Sequence, residues 1–383
     1  MAQKPARKKP VTTPRRPAPA EAAAPPLTRS PRATASELDL LRELSNASGV
    51  SGDEGAVRRI ILDAIRGHVD EVKVDVLGNV LALKKGVGRG ERVLVAAHMD
   101  EVGFMVSGHD PDGSLRLEIV GGLDERLLLG KAVLVGPKRL PGVIGAAPVH
   151  LLNGDRRSAV VKITQLRIDI GVESQEAAKK LVRVGDRGVF AAEFAVVGPS
   201  LRGKALDDRL GCATLVELLR GGPYGFEVHA AFTVQEEVGL RGAKVAGYAV
   251  DPACAFVLDC TPALDLPHTD AERENTQYNT RLGYGPAIYV SDSSTIHDKR
   301  LVSYLKQTAE GAAIPYQIRQ PGGGGTDAGA IHRSREGVPS VSVSVPGRYL
   351  HTPVALARAD DWRNTVRLMK LALEGWTPKV LKR

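Results

Sequence analysis

Apolar residues recur at two spacings along this chain, and each spacing predicts a different kind of element. Leu38, Leu41 and Leu44 fall three apart, and Val57, Ile60, Ile61, Ala64 and Ile65 fall at i, i+3, i+4, i+7 and i+8. Two amphipathic helices are expected there. A capping box at Ser36–Asp39 would open the first, and a Gly/Ser turn at 48–52 separates the two. Short β-like runs follow at Val72–Val76 and Val80–Leu83, turned at Leu77–Asn79. Four later segments, Val93–Ala97, Val228–Val234, Ala255–Leu258 and Ser340–Val345, are apolar at nearly every position. Such runs read as strands buried on both faces, as in a parallel sheet covered by helices. Gly211–Leu219 is apolar enough to be one of those helices. The fold class is therefore α/β, with a mixed, mostly parallel sheet flanked by helices.

Between about 105 and 200 the pattern changes. Val and Gly are dense there, and strand-like runs are short: Ser114–Val120, Ala132–Val135, Ser158–Thr164 and Gly188–Val197. A helix at Ser174–Leu181 interrupts them. This predicts a small β-rich domain, residues 105–198, inserted between two halves of the α/β domain, 35–104 and 199–383. Residues 1–34 carry eight prolines and eight basic residues against one acid. A segment of that composition buries too little apolar surface to offset the entropy of ordering, so it reads as a disordered tail.

Charge changes the picture only once it is located. The tail holds +7 of the chain's net +8, so the body is nearly neutral and no basic nucleic-acid groove is indicated outside the tail. No apolar stretch is long enough for a membrane helix. Cys212, Cys254 and Cys260 form no CxxC pair and are odd in number, which fits buried thiols in a reducing compartment, the cytoplasm.

The chemistry gathers at strand ends. His98 and Asp100 lie just past the first buried strand, Glu236 and Glu237 past the second, Asp259 at the end of the third, and His351 after the fourth. Asp207 and Asp208 lead into the helix at Gly211. In open α/β sheets ligands collect outside the carboxyl ends of the strands. Mixed His and carboxylate donors suit zinc, cobalt or manganese. Two such ions need a bridging carboxylate, and a further carboxylate would serve as general base. Asp100, two residues beyond His98, can hold that imidazole's other ring nitrogen. Each feature also has a plainer explanation. Glu236 and Glu237 read alone as a solvated loop or a glycosidase pair, Asp207 and Asp208 as a helix cap, and His150, His229 and His268 as ordinary core or surface histidines. The convergence at several strand ends favours a metal site.

Those same residues resemble the glutamyl-aminopeptidase-like family of dinuclear metallopeptidases, which includes the tetrahedral (TET) aminopeptidases and some members labelled endoglucanases. The resemblance is carried by Ala97–Val106, Lys204–Cys212, Gln235–Gly239, Leu258–Asp259, Gly323–Ala330 and Arg348–Pro353, with Ala47–Gly52 and Asp75–Asn79 upstream. It implies a zinc-peptidase-like fold and two divalent cations per chain. Asp207 would bridge them, His98 and Asp259 would complete one site, and Glu237 and His351 the other. Glu236 would be the general base and Asp100 would orient His98. The inserted domain would mediate dimerisation, and dimers would build a dodecamer acting on peptides. Asp208 departs from the pattern, since many relatives carry Asn there, and the basic tail is not part of it. A glycan hydrolase and a non-catalytic scaffold tethered by the tail are the competing readings. Pro286–Ser294 and Gly322–Gly329 are expected to line the cleft. The preferred N-terminal residue is not encoded in any of these motifs.

Overall fold

The structure, a computed structural model, describes residues 33–88, 91–151, 153–154, 159–266 and 280–382. Nearly all of the expected tail, together with His268, lies outside the described residues. Seventeen strands and eight helices are assigned among the described residues. The described residues open with helices α1 (Ala35–Asn46) and α2 (Gly55–Ile65), then strands β1 (Glu71–Val74), β2 (Val80–Lys84) and β3 (Arg92–His98). Six short strands follow: β4 (Gly103–His109), β5 (Leu115–Val120), β6 (Ala132–Val135), β7 (Leu140–Gly145), β8 (Arg167–Asp169) and β9 (Arg187–Phe190), with helix α3 (Gln175–Leu181) before the last. The remainder comprises β10 (Ala195–Val197), β11 (Ser200–Gly203), α4 (Leu206–Arg220), β12 (Glu227–Thr233), α5 (Arg241–Val250), β13 (Cys254–Pro262), β14 (Ala287–Tyr289), α6 (Lys299–Gly311), β15 (Gln317–Arg319), α7 (Ala328–Ile331), β16 (Ser340–Arg348), β17 (Ala355–Arg358) and α8 (Ala359–Gly375).

The main sheet runs β1-β2-β12-β3-β13-β16-β17-β11-β10, with β14 attached to β16 and β15 to β14. Its centre, β12-β3-β13-β16, is parallel, and its flanks are antiparallel. Alternation along β3 explains why this centre is apolar throughout. Val93, Val95 and Ala97 face a large core with α1, α2, α4, α6 and α8, whereas Leu94 and Ala96 face a thinner core with α5 and α7. Successive strand side chains point to opposite faces, so both phases must be apolar when both faces are covered. The helices are held by the same burial. An isolated helix the length of α2 is marginal in water, but Val57, Ile61 and Ile65 are fully buried, and each such side chain contributes about 1.5–3 kcal/mol.

The six strands β4-β5-β8-β7-β6-β9 close on themselves as an antiparallel barrel. Phe104 and Phe190 meet edge to face inside it, 6.3 Å between ring centroids. Gly188 lets Phe104 lie flat on the backbone: a Cβ there would stand 1.9 Å from the ring.

Three local expectations are corrected. The capping box forms at Thr34 and Glu37, not at Ser36 and Asp39: Thr34 Oγ1 accepts from the Glu37 amide at 3.3 Å, and Glu37 Oε2 accepts from the Thr34 amide at 2.7 Å. The longer Glu side chain spans the turn; Asp39 pairs with Arg42 instead. The run Ser158–Thr164 is not a strand in its described part. It leads into a 3-10 turn at Ile163–Gln165, and the strand lies at β8. Gly188–Val197 is two strands in two sheets, because β10 leaves the barrel for the edge of the main sheet.

Candidate metal centre

Parallel register aligns the ends of β3, β12 and β13 on one edge of the sheet. Thr233 pairs with His98 between β12 and β3, and β13 runs beside β3 to deliver Asp259. α4 starts beneath this edge. Its first residues, Asp207 (φ −83°, ψ 111°) and Asp208 (φ −115°, ψ 44°), are not yet helical and are joined by a cis peptide bond.

The carboxylate of Asp207 stands between two sets of donors. Its Oδ1 is 3.3 Å from His98 Nε2, which is 3.8 Å from Asp259 Oδ1. Its Oδ2 is 3.5 Å from His351 Nε2, which is 3.3 Å from Glu237 Oε2. Donors 2.0–2.2 Å from a tetrahedral cation stand about 3.4 Å from one another, so each set has the spacing of a cation's ligands. Asp207 Oδ1 is buried and receives no hydrogen bond of acceptable geometry. A buried acceptor without a partner costs roughly 1–3 kcal/mol, and a cation would satisfy it. Asp208 and Cys260 also come within ligand reach, but both are engaged elsewhere. Asp208 accepts from the amides of His98 (3.2 Å) and Gly211 (2.9 Å), and the Cys260 thiol donates to the Leu206 carbonyl. His98, Asp207, Glu237, Asp259 and His351 all lie on the wall of one cleft of about 630 Å³, Asp259 Oδ1 also accepting from the Cys260 amide at 2.7 Å.

Asp100 organises this edge, though not mainly through His98. His98 Nδ1 is closer to Asp100's main-chain carbonyl, 3.1 Å, than to its carboxylate, 3.5 Å. The carboxylate accepts from Ser51 Oγ at 2.6 Å and from the amides of Glu236 and Glu237 at 3.0 and 3.2 Å. Asp100 therefore fixes the loop that presents both glutamates. Burial raises its pKa, but His98 and these hydrogen bonds outweigh burial and hold it below the usual carboxylate range.

With protein groups alone, protons balance the charge. Burial opposes a charge on His351, yet Asp207 and Glu237 beside it lift its pKa to about 11. Burial also opposes a charge on His98, and Asp100, Asp207 and Asp259 raise it well above its ordinary value. Burial, helped by Asp207's charge, raises Asp259 to about 7. Glu236 is raised well above the carboxylate range by burial, and the charges of Asp259, Asp327 and Glu237 add to the rise. Cations entering such a site displace protons.

Several residues with no expected role form a second layer. Glu101 is buried with Lys204 (2.6 Å) and Arg209 (3.0 Å) and accepts from the Gly49 amide. Arg209 Nη1 donates to the carbonyl of Met99, between His98 and Asp100. Asp327 accepts from Thr233, the register partner of His98. The available signal was charge inside otherwise buried motif segments. Tyr289, Ser293, Ser294, Gly324, Gly325 and Arg319 complete the cleft. His229 pairs with Glu227 away from it, His150 is exposed, and all three cysteines are free and buried.

The family model described as M42 glutamyl aminopeptidase matches residues 78–368. A putative aminopeptidase of Acetivibrio thermocellus is 39% identical over 336 residues, covering 88% of this chain and 98% of that protein. A TET aminopeptidase from a marine-sediment Thaumarchaeota archaeon superposes with a TM-score of 0.85 at 37% identity, over 90% of this chain and 98% of that one. The TET1 peptidase of Pyrococcus horikoshii, described as assembling into a tetrahedron or a large octahedral shell, gives 0.78 at 37% identity, over 89% of this chain and all of that one.

Proposed function

Because this chain belongs to the M42 glutamyl aminopeptidase family, we propose that it removes N-terminal residues from short peptides with a pair of divalent cations. One observation carries the dinuclear reading: the two oxygens of a single carboxylate, Asp207, each face a separate His and carboxylate pair. His98 and Asp259 would hold the inner cation and His351 and Glu237 the outer one, with Asp207 between them. The donor set is hard oxygen and imidazole nitrogen, which suits zinc, cobalt or manganese. When bound, such a pair polarises a peptide carbonyl and acidifies water.

Glu236 shares the cleft but is not needed for either donor set. Its carboxylate would take the proton of the attacking water and pass it to the leaving amine. Asp100 would hold Glu236 in place through the Glu236 amide. Glu236→Gln tests this assignment: both cations should remain by elemental analysis while turnover of amino-acid anilides falls by about 10²–10⁴-fold. Turnover close to the parent's would remove Glu236 from the role. A glycosidase pair fits less well, because Glu237 is turned to His351. Anilide hydrolysis without cleavage of a soluble cellulose derivative would settle that choice.

Residues 105–198 would mediate dimerisation on the way to a dodecamer. Val143 and Val184 are exposed on that segment, and the TET1 relative assembles into closed shells. Three unpaired thiols fit the cytoplasm. Among the described residues no helix is long and apolar enough to cross a membrane.

A further inference from the structure

The inner and outer histidines are steadied by different parts of the chain. His98 Nδ1 contacts the carbonyl of Asp100, two residues on. His351 Nδ1 lies 3.0 Å from the carbonyl of Gly122, 229 residues away, at the turn that leaves barrel strand β5. A carbonyl only accepts, so Nδ1 carries a hydrogen, and Nε2, beside Asp207 and Glu237, is the nitrogen that would face a cation once its own proton is displaced. The preceding residue leaves room only for a hydrogen beside the other outer donor. Gly121 has φ +85°, and a Cβ there would stand 3.3 Å from Glu237 Cβ and 2.8 Å from Val102 Cγ1. A Cβ on Gly122 would stand 3.0 Å from His351 Nδ1. The turn is closed locally by the Leu123 amide donating to the Gly121 carbonyl, and Asp124 caps the 3-10 turn that follows it through the Arg126 amide.

We propose that the Gly121–Gly122 turn of the barrel is a positioning element for the outer cation. It sets the tautomer and ring plane of His351 and packs against Glu237, so occupancy of the outer position depends on the barrel while occupancy of the inner position does not. The inserted barrel is on this account part of the metal site as well as a surface for assembly. The inference rests on the two-cation reading above.

The test is stepwise titration of the chelator-treated, full-length protein with cobalt(II), followed by calorimetry and visible absorbance. Gly122→Ala should leave the first step within twofold and weaken the second by about 10–100-fold, the usual loss when a ligand's supporting hydrogen bond is disturbed. Asp124→Ala, which loosens the turn from its solvent side and adds no bulk, should weaken the second step at least threefold. Gly145→Ala, a barrel glycine whose Cβ would meet nothing within 4 Å, should titrate like the parent. Thermal melting establishes which variants are folded. A second step unchanged in either folded turn variant, or both steps weakened equally, overturns the proposal. A parent protein that binds fewer than two cobalt ions overturns the two-cation reading itself, which is a distinguishable result.

Discussion

The two halves of the metal centre are built differently. The inner donors, His98 and Asp259, sit on the ends of adjacent parallel strands with side chains 3% and 7% exposed. The outer pair contains His351, 40% exposed and on a loop with φ +56°. Strand ends are placed by the hydrogen-bonded register of the sheet, and packing tolerates little movement there. A loop residue is placed by whatever touches it, here Gly122 of the barrel. The lesson is that one cation position is a consequence of the core, whereas the other is a joint between two parts of the fold.

The severest way to break this comparison is to remove what the halves share. Asp207→Ala deletes the donor between them, so both cations should be lost by elemental analysis and anilide turnover should fall at least about 10³-fold. An Asp207→Ala protein that keeps two ions would show that the halves do not depend on a common bridge. Next comes the contrast between histidines. In chelated protein His98→Ala leaves Asp100 and Asp259 buried beside a cavity, and should cost about 3 kcal/mol in urea unfolding. His351→Ala removes a partly exposed loop side chain that pairs with Asp207 and Glu237, and should cost less than His98→Ala because it leaves no closed cavity. Equal costs would erase the distinction between core and joint.

What the sequence revealed divides along the same line. Val93–Ala97 and Ala255–Leu258 are apolar in both phases, so the strands that end at His98 and Asp259 are legible, and so is the edge where donors gather. The Thr34–Glu37 box was displaced by two residues because Ser36 and Asp39 satisfy the same pattern; only the reach of Glu separates them. The ion pairs of Glu101 with Lys204 and Arg209 join segments more than a hundred residues apart, and no local period records such a meeting. The same holds for Gly122 and His351. A Gly-Gly pair after a strand reads as a turn, and nothing in it names a histidine 229 residues on. Asp100 was legible as a partner of His98, but its larger engagement with the amides of Glu236 and Glu237 is a tertiary fact.

Acidity offers a gentler probe of the two halves. Each cation must displace protons, so apparent affinity should rise with pH, about tenfold per unit for each proton released. His351, held up at about 11 by Asp207 and Glu237 against its burial, surrenders a proton throughout the range from pH 6 to 9. Asp259, raised to about 7 by burial, adds a further proton to the inner step only below that pH. Cobalt titration across pH 6–8 should therefore show the inner step steepening on the acid side of 7 relative to its slope above. A slope that does not change through pH 7 would show that Asp259 is already ionised before the inner cation enters.

The smallest effect is expected at Asp208, where the resemblance to the family leads one to expect Asn. Both its oxygens face backbone amides, which favours the charged form, but burial together with Asp259 and Asp207 raises its pKa well above the usual range. If the second influence dominates, Asp208 keeps its proton, since no cation contacts the side chain in the proposed arrangement. A carboxylic acid that keeps its proton differs little in shape and polarity from a carboxamide. Asp208→Asn should then leave turnover and both cobalt steps within about threefold. A tenfold weakening confined to the inner step would mean that Asp208 carries its negative charge into the loaded site. The inner half would then owe its affinity partly to long-range charge, and not to the register of its strands alone.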